Sequence, residues 1–392
     1  MSETGRIAVF LIVALSIWAA LHAYVVWSVG RTPFVAEHLS RRALIVGAVL
    51  LGVSYLLGRV LDWRDLPTLA YPFELVGAVW IGVVFLIFMA VVLCDLVRLP
   101  VLLLLPETSS EGALLTAAAN LPAVGAAVAL LLGAIGAVQH ARGPVVIEQE
   151  VRLQGLPVER DGTVLVQISD LHLGSLLGGR WLEHRIAEIG ALRPDVVAVV
   201  GDLVDGNAAH VERLLPQLLR LRAPLGVWAV TGNHEFYAGL GRSVKLMEEA
   251  GFSVLRDGWA EVAPGLVFAG LDDLTARHQN LPQGVPARPA LEQWLDTTLA
   301  GRPAAATVLL SHTPWLVERA AALGVGLMLS GHTHDGQIWP FGYLVAMQYP
   351  FLGGAYDVGA MRLVVCRGTG SWGPPLRLWR RSEIVRIVLR SA

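Results

Sequence analysis

The pattern of hydrophobic and polar residues divides this chain into two parts. The first third contains four long apolar runs with few charged residues, and each is long enough to cross a bilayer, which requires about 20 residues. The runs lie near residues 7–29, 43–61, 73–97 and 113–138. Because four such runs seldom occur together in soluble folds, we expect a bundle of about four transmembrane helices rather than buried core helices.

After Val138 the pattern changes to alternating strand-like and helix-like segments. Residues 145–153 alternate apolar and polar positions, as an edge strand does, whereas Val196–Val200 is apolar throughout, as in a strand buried on both faces. Further strands are expected at 163–169, 225–230, 307–310 and 325–329, and helices at 180–192, 211–221, 243–250 and 290–299. Late strands at 362–366 and 384–389 are expected to complete a second sheet. The alternation predicts a layered α/β domain.

Composition agrees with a membrane segment and argues against a nucleic-acid partner. The chain is 54% hydrophobic and 16% charged, which is more apolar than an ordinary soluble domain. The formal net charge is −2, and no long basic patch is present to follow a nucleic-acid backbone. Cys94 lies in an apolar run far from Cys366, so no disulfide framework is expected.

The charges of the short loops bear on membrane orientation. An even number of spans places both ends of the bundle on one side, and the positively charged residues are divided almost equally between the two sides. One side carries Arg31, Arg41, Arg42 and Arg98, and the other carries Arg6, Arg59, Arg64 and Arg142. The cluster in the first loop favours a cytoplasmic position for that loop, which places the C-terminal part outside the cytoplasm.

Polar residues follow the predicted strands at the points where those strands end. The five strand ends read DLH at Asp170, GDLVD at Gly201, GNHE at Gly232, SH at Ser311 and GHTH at Gly331. Because sites in open α/β sheets lie beyond the carboxyl ends of the strands, we expect these side chains to share one rim. The glycines that precede ligands also fit tight turns.

The donors at this rim are carboxylate and amide oxygens and imidazole nitrogens, without a thiolate. Such a set suits Mn, Fe or Zn, and it is too large for a single ion. Two ions that share Asp202 would use the donors economically, and two-metal centres can clamp both the attacking and the leaving oxygen of a displacement at phosphorus.

These motifs resemble those of the calcineurin-like metallophosphoesterase family, from residue 163 onward. The resemblance implies an α/β/β/α sandwich and two divalent metal ions, with a hydroxide that bridges the two ions as nucleophile. It implies that Asp170, His172, Asp202 and His334 hold one metal ion and that Asp202, Asn233, His312 and His332 hold the other. It also implies that His234 lies beside the scissile phosphate, where it stabilises charge or protonates the leaving oxygen. Asp205 is then the carboxylate that orients His234.

A narrower resemblance lies near the end of the chain. GHTHDGQIWPFG and GTGSWGPPLRLWRRSEI are similar to segments of a membrane-associated bacterial subgroup that includes UDP-diacylglucosamine pyrophosphatase-like phosphoesterases. Other members of that subgroup carry a secretion signal or a single anchor rather than four spans. For the residues of these segments, a role at the rim of the site and a role in packing remain open; they are Asp335, Gln337, Gly368, Gly370 and Trp372. Asp272, Asp273 and His278 are expected in a solvated loop, with a place beside the substrate as the alternative.

We therefore expect a transmembrane domain over 1–142, a linker and edge strand over 143–161, and a catalytic domain over 162–392. The expected activity is hydrolysis of a phosphoester or pyrophosphate by a protein anchored in a bacterial cell membrane, and a lipid-linked substrate would suit that location. The alternatives are a phosphoprotein or nucleotide phosphatase, and a membrane sensor or transporter with a regulatory phosphoesterase-like domain. A degenerate regulatory domain usually lacks ligands, whereas all the ligand positions are filled here.

Overall fold

The computed structural model describes residues 3–64, 66–104, 112–281 and 285–392. The expected transmembrane domain also includes 1–2, 65 and 105–111, which lie outside the described residues. The chain forms two compact units. The first comprises 1–138 and 373–378, and the second comprises 139–372 and 379–392.

The first unit is helical. Its helices are α1 (Glu3–Gly30), α2 (Pro33–His38), α3 (Arg41–Trp63), α4 (Pro67–Leu104) and α5 (Gly112–Ala141), the last residues of which fall in the second unit. Within the described ranges, four helices are long and apolar enough to cross a membrane, namely α1, α3, α4 and α5. They extend the runs predicted from the sequence, and the short α2 in the first loop was not predicted.

Glycine and hydrogen bonds bring these helices together. Gly77 of α4 lies against α3 so closely that a β-carbon at this position would fall 2.3 Å from the backbone nitrogen of Tyr55. The indole nitrogen of Trp80 donates to His22 Nε2 over 2.8 Å, which makes His22 a residue that joins helices. The backbone N–H of Phe34 donates to Asn120 Oδ1 over 2.9 Å, so Asn120 has the same role.

The second unit contains two six-stranded sheets. The first has the order β1 (Val145–Leu153), β12 (Glu383–Ser391), β2 (Val164–Ile168), β3 (Val196–Val200), β4 (Val227–Val230) and β5 (Ser253–Val254). The second has the order β10 (Gly354–Val358), β11 (Met361–Val365), β9 (Leu327–Ser330), β8 (Ala306–Leu310), β7 (Leu266–Gly270) and β6 (Gly258–Ala263). Strands β2 to β5 and β7 to β9 run parallel to their neighbours within each group, so their carboxyl ends meet at shared edges.

Helices cover the outer face of each sheet. The helices of this unit are α6 (Gly179–Ala191), α7 (Ala208–Glu212), α8 (Leu215–Leu218), α9 (Asn233–Ala238), α10 (Leu240–Glu249), α11 (Leu274–Gln279), α12 (Ala287–Leu299), α13 (Val317–Ala322) and α14 (Gly342–Ala346), with 3-10 turns at Val158–Arg160 and His334–Gly336. Along β3, Val197 and Val199 pack with α6 on one face, and Ala198 and Val200 pack towards the second sheet on the other. This two-residue alternation produces three cores and an α/β/β/α sandwich, the predicted fold class.

The structure corrects two predictions about elements. The last strand, β12, belongs to the first sheet, where it lies between β1 and β2, rather than to the second. Only the pairing partners distinguish the two placements, because an apolar strand fits either sheet. The helix predicted over 211–221 is divided into α7 and α8, and Pro216 lies at the start of α8, where a proline without an N–H is tolerated.

Candidate metal centre

The strands deliver the predicted ligands to one rim. Asp170 and His172 follow β2, Asp202 follows β3, and Asn233 follows β4 at the first position of α9. His312 follows β8 of the second sheet, and His332 and His334 follow β9. The carboxyl ends of parallel strands from both sheets therefore supply every predicted ligand.

The first group of donors comprises Asp170, His172 and His334. The Nε2 atoms of His172 and His334 lie 3.0 Å apart, and His334 Nε2 lies 3.3 Å from Asp170 Oδ1. His172 Nε2 is also 3.8 Å from Asp202 Oδ2. All four side chains are buried.

The second group comprises Asp202, His312 and His332. His312 Nε2 lies 3.1 Å from Asp202 Oδ2, and His332 Nδ1 lies 2.9 Å from Asn233 Oδ1. The same carboxylate oxygen of Asp202 thus faces a histidine of each group. His172, His234 and Asp205 form a further grouping beside the first.

Left-handed backbone conformation aims most of these side chains. Asp170, His172, Asp202, His332 and His334 have φ angles between 47° and 71°. Residues other than glycine rarely adopt this region, and such conformations concentrate at functional sites, where the surrounding structure offsets their cost.

Two glycines are required by close approach. A β-carbon at Gly232 would lie 2.1 Å from Asp202 Oδ1, and one at Gly331 would lie 1.8 Å from Ser169 Oγ and 2.4 Å from Asp170 Oδ2. Both glycines therefore make room for carboxylates of the rim.

Burial and neighbouring charges separate the histidines into two kinds. Burial and repulsion from charged neighbours lower the pKa of His172 and of His332 to about 4, so both imidazoles are neutral near pH 7. Burial also opposes ionisation of His234, but attraction by Asp202 and the hydrogen bond to Asp205 outweigh it and raise its pKa to about 9. Neutral imidazoles can bind a cation, whereas protonated His234 suits an anion.

The carboxylates differ in the same way. Burial and repulsion from Asp202 raise the pKa of Asp170 to about 6, although His312 opposes the shift. Burial also acts to raise the pKa of Asp202, but the positive charges of His312 and His234 outweigh it and hold the pKa well below its usual range. Asp202 therefore remains ionised at acidic pH values at which Asp170 is already protonated.

His234 and Asp205 form the pair that the resemblance implied. His234 Nδ1 lies 2.9 Å from Asp205 Oδ1, and the backbone N–H of His234 donates to Asp202 Oδ1 over 2.9 Å. The His234 ring also meets the His172 ring edge to face, with the centroids 4.6 Å apart. His234 thus stands directly beside the first group of donors.

Sequence reasoning missed Glu235 as part of this site. Glu235 is fully buried and accepts hydrogen bonds from the backbone N–H groups of Gly232 (2.6 Å), Asp202 (3.0 Å) and Val204 (2.9 Å). It ties the loop after β3 to the loop after β4. Its position as the third residue of α9, where a glutamate reaches back to the backbone before the helix, was the available signal.

Tyr349 was also missed. Its hydroxyl lies 2.8 Å from His332 Nε2, and so fixes the ring whose other nitrogen faces Asn233. Nothing in the sequence around Tyr349 distinguishes it from an ordinary packing residue.

For the residues near the end of the chain, the sequence left open a role at the rim of the site or a role in packing, and the structure shows examples of both. Gln337 exchanges two hydrogen bonds with the backbone of Trp372, over 2.9 and 3.0 Å, and the Trp372 ring meets His234 at a centroid distance of 6.3 Å. Gly370 packs under the site, since a β-carbon there would fall 2.2 Å from the carbonyl oxygen of Leu171. Asp335 is buried against Arg367, 3.0 Å away, and the backbone carbonyl of Gly368 accepts from Glu383.

The expectation of a solvated loop at Asp272 and Asp273 is wrong. Both carboxylates are buried: Asp272 pairs with Arg256 over 2.7 Å, and Asp273 caps α11 and accepts from Thr313 over 2.5 Å. The ring of His278 contacts Trp315 at a centroid distance of 6.0 Å. The sequence did not reveal this burial, because the partners Arg256 and Thr313 lie in other segments of the chain.

The donor chemistry fits divalent cations. His172 Nε2 and His334 Nε2 lie 3.0 Å apart. A hydrogen bond between two ring nitrogens uses only one proton, so at least one of these nitrogens carries none. Buried histidines and carboxylates whose donor atoms converge in this way are typical of a metal site. The fold and the two donor groups therefore define a candidate dinuclear metal centre at the edge of a two-sheet sandwich.

Comparisons with known proteins identify the family. The model of the calcineurin-like phosphoesterase family matches residues 163–336. An uncharacterized metallophosphoesterase from Aquifex aeolicus is 32% identical over 228 residues, which cover 58% of this chain and 84% of the relative. The chain belongs to the calcineurin-like metallophosphoesterase family.

Relatives with membrane segments also match. A zebrafish (Danio rerio) protein named "Transmembrane protein with metallophosphoesterase domain" is 34% identical over 273 residues, 67% of this chain and 61% of that protein. The chain thus spans about three-fifths of the length of this relative. A solved dimetal phosphatase from the same organism is 17% identical, with 58% of this chain and 99% of that chain covered and a TM-score of 0.37. The family assignment rests on the sequence relatives.

Proposed function

We propose that this protein is a membrane-anchored phosphoesterase that uses two divalent metal ions to hydrolyse a phosphoester or pyrophosphate linked to a lipid. The observation that carries the proposal is the position of Asp202, whose Oδ2 lies 3.1 Å from His312 Nε2 and 3.8 Å from His172 Nε2. One ionised carboxylate between two donor groups is the arrangement that a shared ligand of two cations requires.

We assign the ligands as the resemblance implied. Asp170, His172, Asp202 and His334 would hold one ion, and Asp202, Asn233, His312 and His332 the other. Nitrogen and oxygen donors without thiolate are compatible with Mn, Fe or Zn. When bound, the two ions would lower the pKa of a water molecule that attacks phosphorus and would offset the negative charge of the phosphate.

The residues of the chain have separate tasks in this reaction. Protonated His234 would approach the phosphate, stabilise its developing charge and give a proton to the leaving oxygen. Asp205 would hold the His234 ring through Nδ1 and leave Nε2 free to face the substrate. Glu235 and the glycines at 232 and 331 would keep the loops at their present spacing.

Turnover of bis-p-nitrophenyl phosphate by the purified full chain tests the chemistry. We expect activity to be lost on chelation and restored by added Mn. The Asp202→Ala variant should lose activity together with bound metal, and His234→Ala should lose about 10²–10⁴-fold in kcat while it keeps its metal. Turnover that is unchanged in either variant would contradict the proposal.

Only the expected position of the protein in a membrane supports a lipid-linked substrate. Four helices that can span a bilayer place the chain among lipids, and no residue of the site selects a lipid. Lipid extracts of cells that produce wild-type or Asn233→Ala protein provide the test. A phosphorylated lipid should accumulate with the variant only. A clear preference of the pure enzyme for phosphopeptides or nucleotides over lipid pyrophosphates would instead support the alternative phosphatase.

We also propose that the catalytic unit lies outside the cytoplasm, in keeping with the arginine cluster of the first loop. Val158 is exposed on the catalytic unit, so a Val158→Cys variant can report its side of the membrane. A membrane-impermeant maleimide should label this variant in intact cells. Labelling only after lysis would place the unit in the cytoplasm.

A further inference from the structure

An exposed apolar surface lies within the second unit, next to the metal centre. We call it the aromatic surface; it comprises Trp339, Phe341, Tyr343, Leu344, Met347 and Trp379, all of them exposed. Met347 is 84% exposed and Tyr343 is 68% exposed. Large apolar side chains in one contiguous exposed patch mark an interaction site rather than ordinary surface.

Local geometry makes these residues one surface. Met347, the residue after α14, lies four positions from Tyr343 and three from Leu344, so it shares a helix face with both. The rings of Trp339 and Trp379 lie 5.1 Å apart, and Ile338 and Trp379 form a short antiparallel bridge.

The same surface is tied to the end of the last apolar helix. The backbone N–H of Trp379 donates to Gln139 Oε1 over 2.9 Å, and His140 Nδ1 lies 3.0 Å from Ser371 Oγ. Gln139 directly follows the apolar run that ends at Val138, and the candidate span ends at Ala141, so Gln139 lies close to the point where α5 would leave the membrane. Trp379 is therefore held near the depth at which α5 would leave the membrane.

The segment between Trp372 and Trp379 lies at a similar depth along α5. Residues 373–378 cluster with the apolar helices of the first unit, and the backbone N–H of Arg377 donates to the carbonyl of Gly136 over 3.0 Å. Gly136 precedes Gln139 by three residues, or about 4.5 Å of helix. A headgroup layer is about 5–7 Å thick, so a segment at this depth lies among headgroups.

From these observations we infer that the aromatic surface inserts into the headgroup region of the bilayer that α5 crosses. Trp and Tyr are the residues that concentrate at membrane–water interfaces, because their rings are apolar and their N–H or O–H groups remain hydrogen-bonded. Leu344 and Met347 supply purely apolar contacts on the same helix face.

This insertion would place the metal centre at the membrane surface. The segment that carries the surface is held at the site at both ends, by Gln337 against Trp372 and by Tyr349 against His332. The inference thus supports a substrate within the bilayer, but it does not rest on the proposed function, and its test measures no turnover.

The test places an environment-sensitive dye on single cysteines of the full chain in phosphatidylcholine nanodiscs. A Cys94→Ala background removes the native thiol in the apolar run, and Cys366 is fully buried. Met347→Cys and Tyr343→Cys probe the surface. Val158→Cys, which is also an exposed apolar position of the second unit, is the matched control.

We expect lipids that carry a nitroxide in the headgroup to remove most of the emission from dyes at 343 and 347. They should leave the dye at 158 unchanged, while aqueous iodide should quench mainly the dye at 158. Iodide quenching at 343 and 347 equal to that at 158, without quenching by nitroxide lipids, would overturn the inference. Shielding of 343 and 347 from both quenchers would overturn it as well, because a covering protein has that effect.

Discussion

His234 Nδ1 and Asp205 Oδ1 lie 2.9 Å apart at the edge of the first donor group. Asp205 also lies close to His172 of the first donor group, but neither Asp205 nor His234 is one of the proposed metal ligands. The pair can therefore be changed without removing a proposed metal ligand.

We expect Asp205→Asn to lower kcat for bis-p-nitrophenyl phosphate by roughly 10–100-fold, because an uncharged amide can still accept from the His234 ring but no longer favours its protonated form. Metal content, measured by elemental analysis, should be that of the wild type. Glu212→Gln, at an exposed ion pair with Arg242, is the control and should leave kcat unchanged. A loss of metal in Asp205→Asn would show that Asp205 is a ligand instead.

The two donor groups should be separable by mutation. His334 belongs to the first group and His332 to the second, and neither lies in the other. We expect His334→Ala and His332→Ala each to retain about one ion per chain, whereas Asp202→Ala should retain neither, because Asp202 faces both groups. Equal metal content in all three variants would refute the shared-ligand arrangement.

Removal of Glu235 should weaken the fold as well as the site. Glu235→Ala leaves three buried backbone N–H groups without their acceptor, and we expect the free energy of unfolding to fall by about 3 kcal/mol or more. Chemical denaturation provides the measurement. Glu249→Ala, at an exposed pair with Lys245, should stay within about 0.5 kcal/mol of the wild type. A Glu235→Ala protein as stable as this control would mean that water replaces the carboxylate.

Gly331 and Gly190 offer a matched pair of substitutions. A methyl group at Gly331 would collide with Ser169 and Asp170, so Gly331→Ala should displace Asp170 and lower metal content and activity together. At Gly190 in α6 nothing lies within 4 Å of a new β-carbon, and alanine there should leave activity unchanged and raise stability by about 0.5–1 kcal/mol. Full metal occupancy in Gly331→Ala would show that the loop can move to accommodate the methyl group without displacing Asp170.

Local sequence patterns were sufficient to predict much of the fold. The strands at Val145–Leu153 and Val196–Val200 have the bounds that the sequence predicted, because alternation and an unbroken apolar run are local properties. The four apolar helices and the strand-end ligands follow from similarly local patterns.

Features that depend on distant partners could not be predicted. The place of β12 follows from its register with Val145 and Leu153, more than 200 positions earlier, which no window of sequence reveals. Asp272 was expected in solvent because the burial of its carboxylate depends on Arg256 and Thr231. The exposure of Met347 was equally hidden, since an apolar residue in a sequence is first assigned to a core.

The pairing of β1 with β12 has a consequence for biosynthesis. β1 follows the last apolar helix, yet its register runs from Val145 against Glu383 to Leu153 against Ser391. While the ribosome translates the region between them, β1 and β2 both present open edges where β12 will insert, and such edges invite wrong pairing. The first sheet is therefore completed only after residue 391 has emerged, so a nascent chain would expose these two strand edges to proteases throughout the synthesis of residues 201–382.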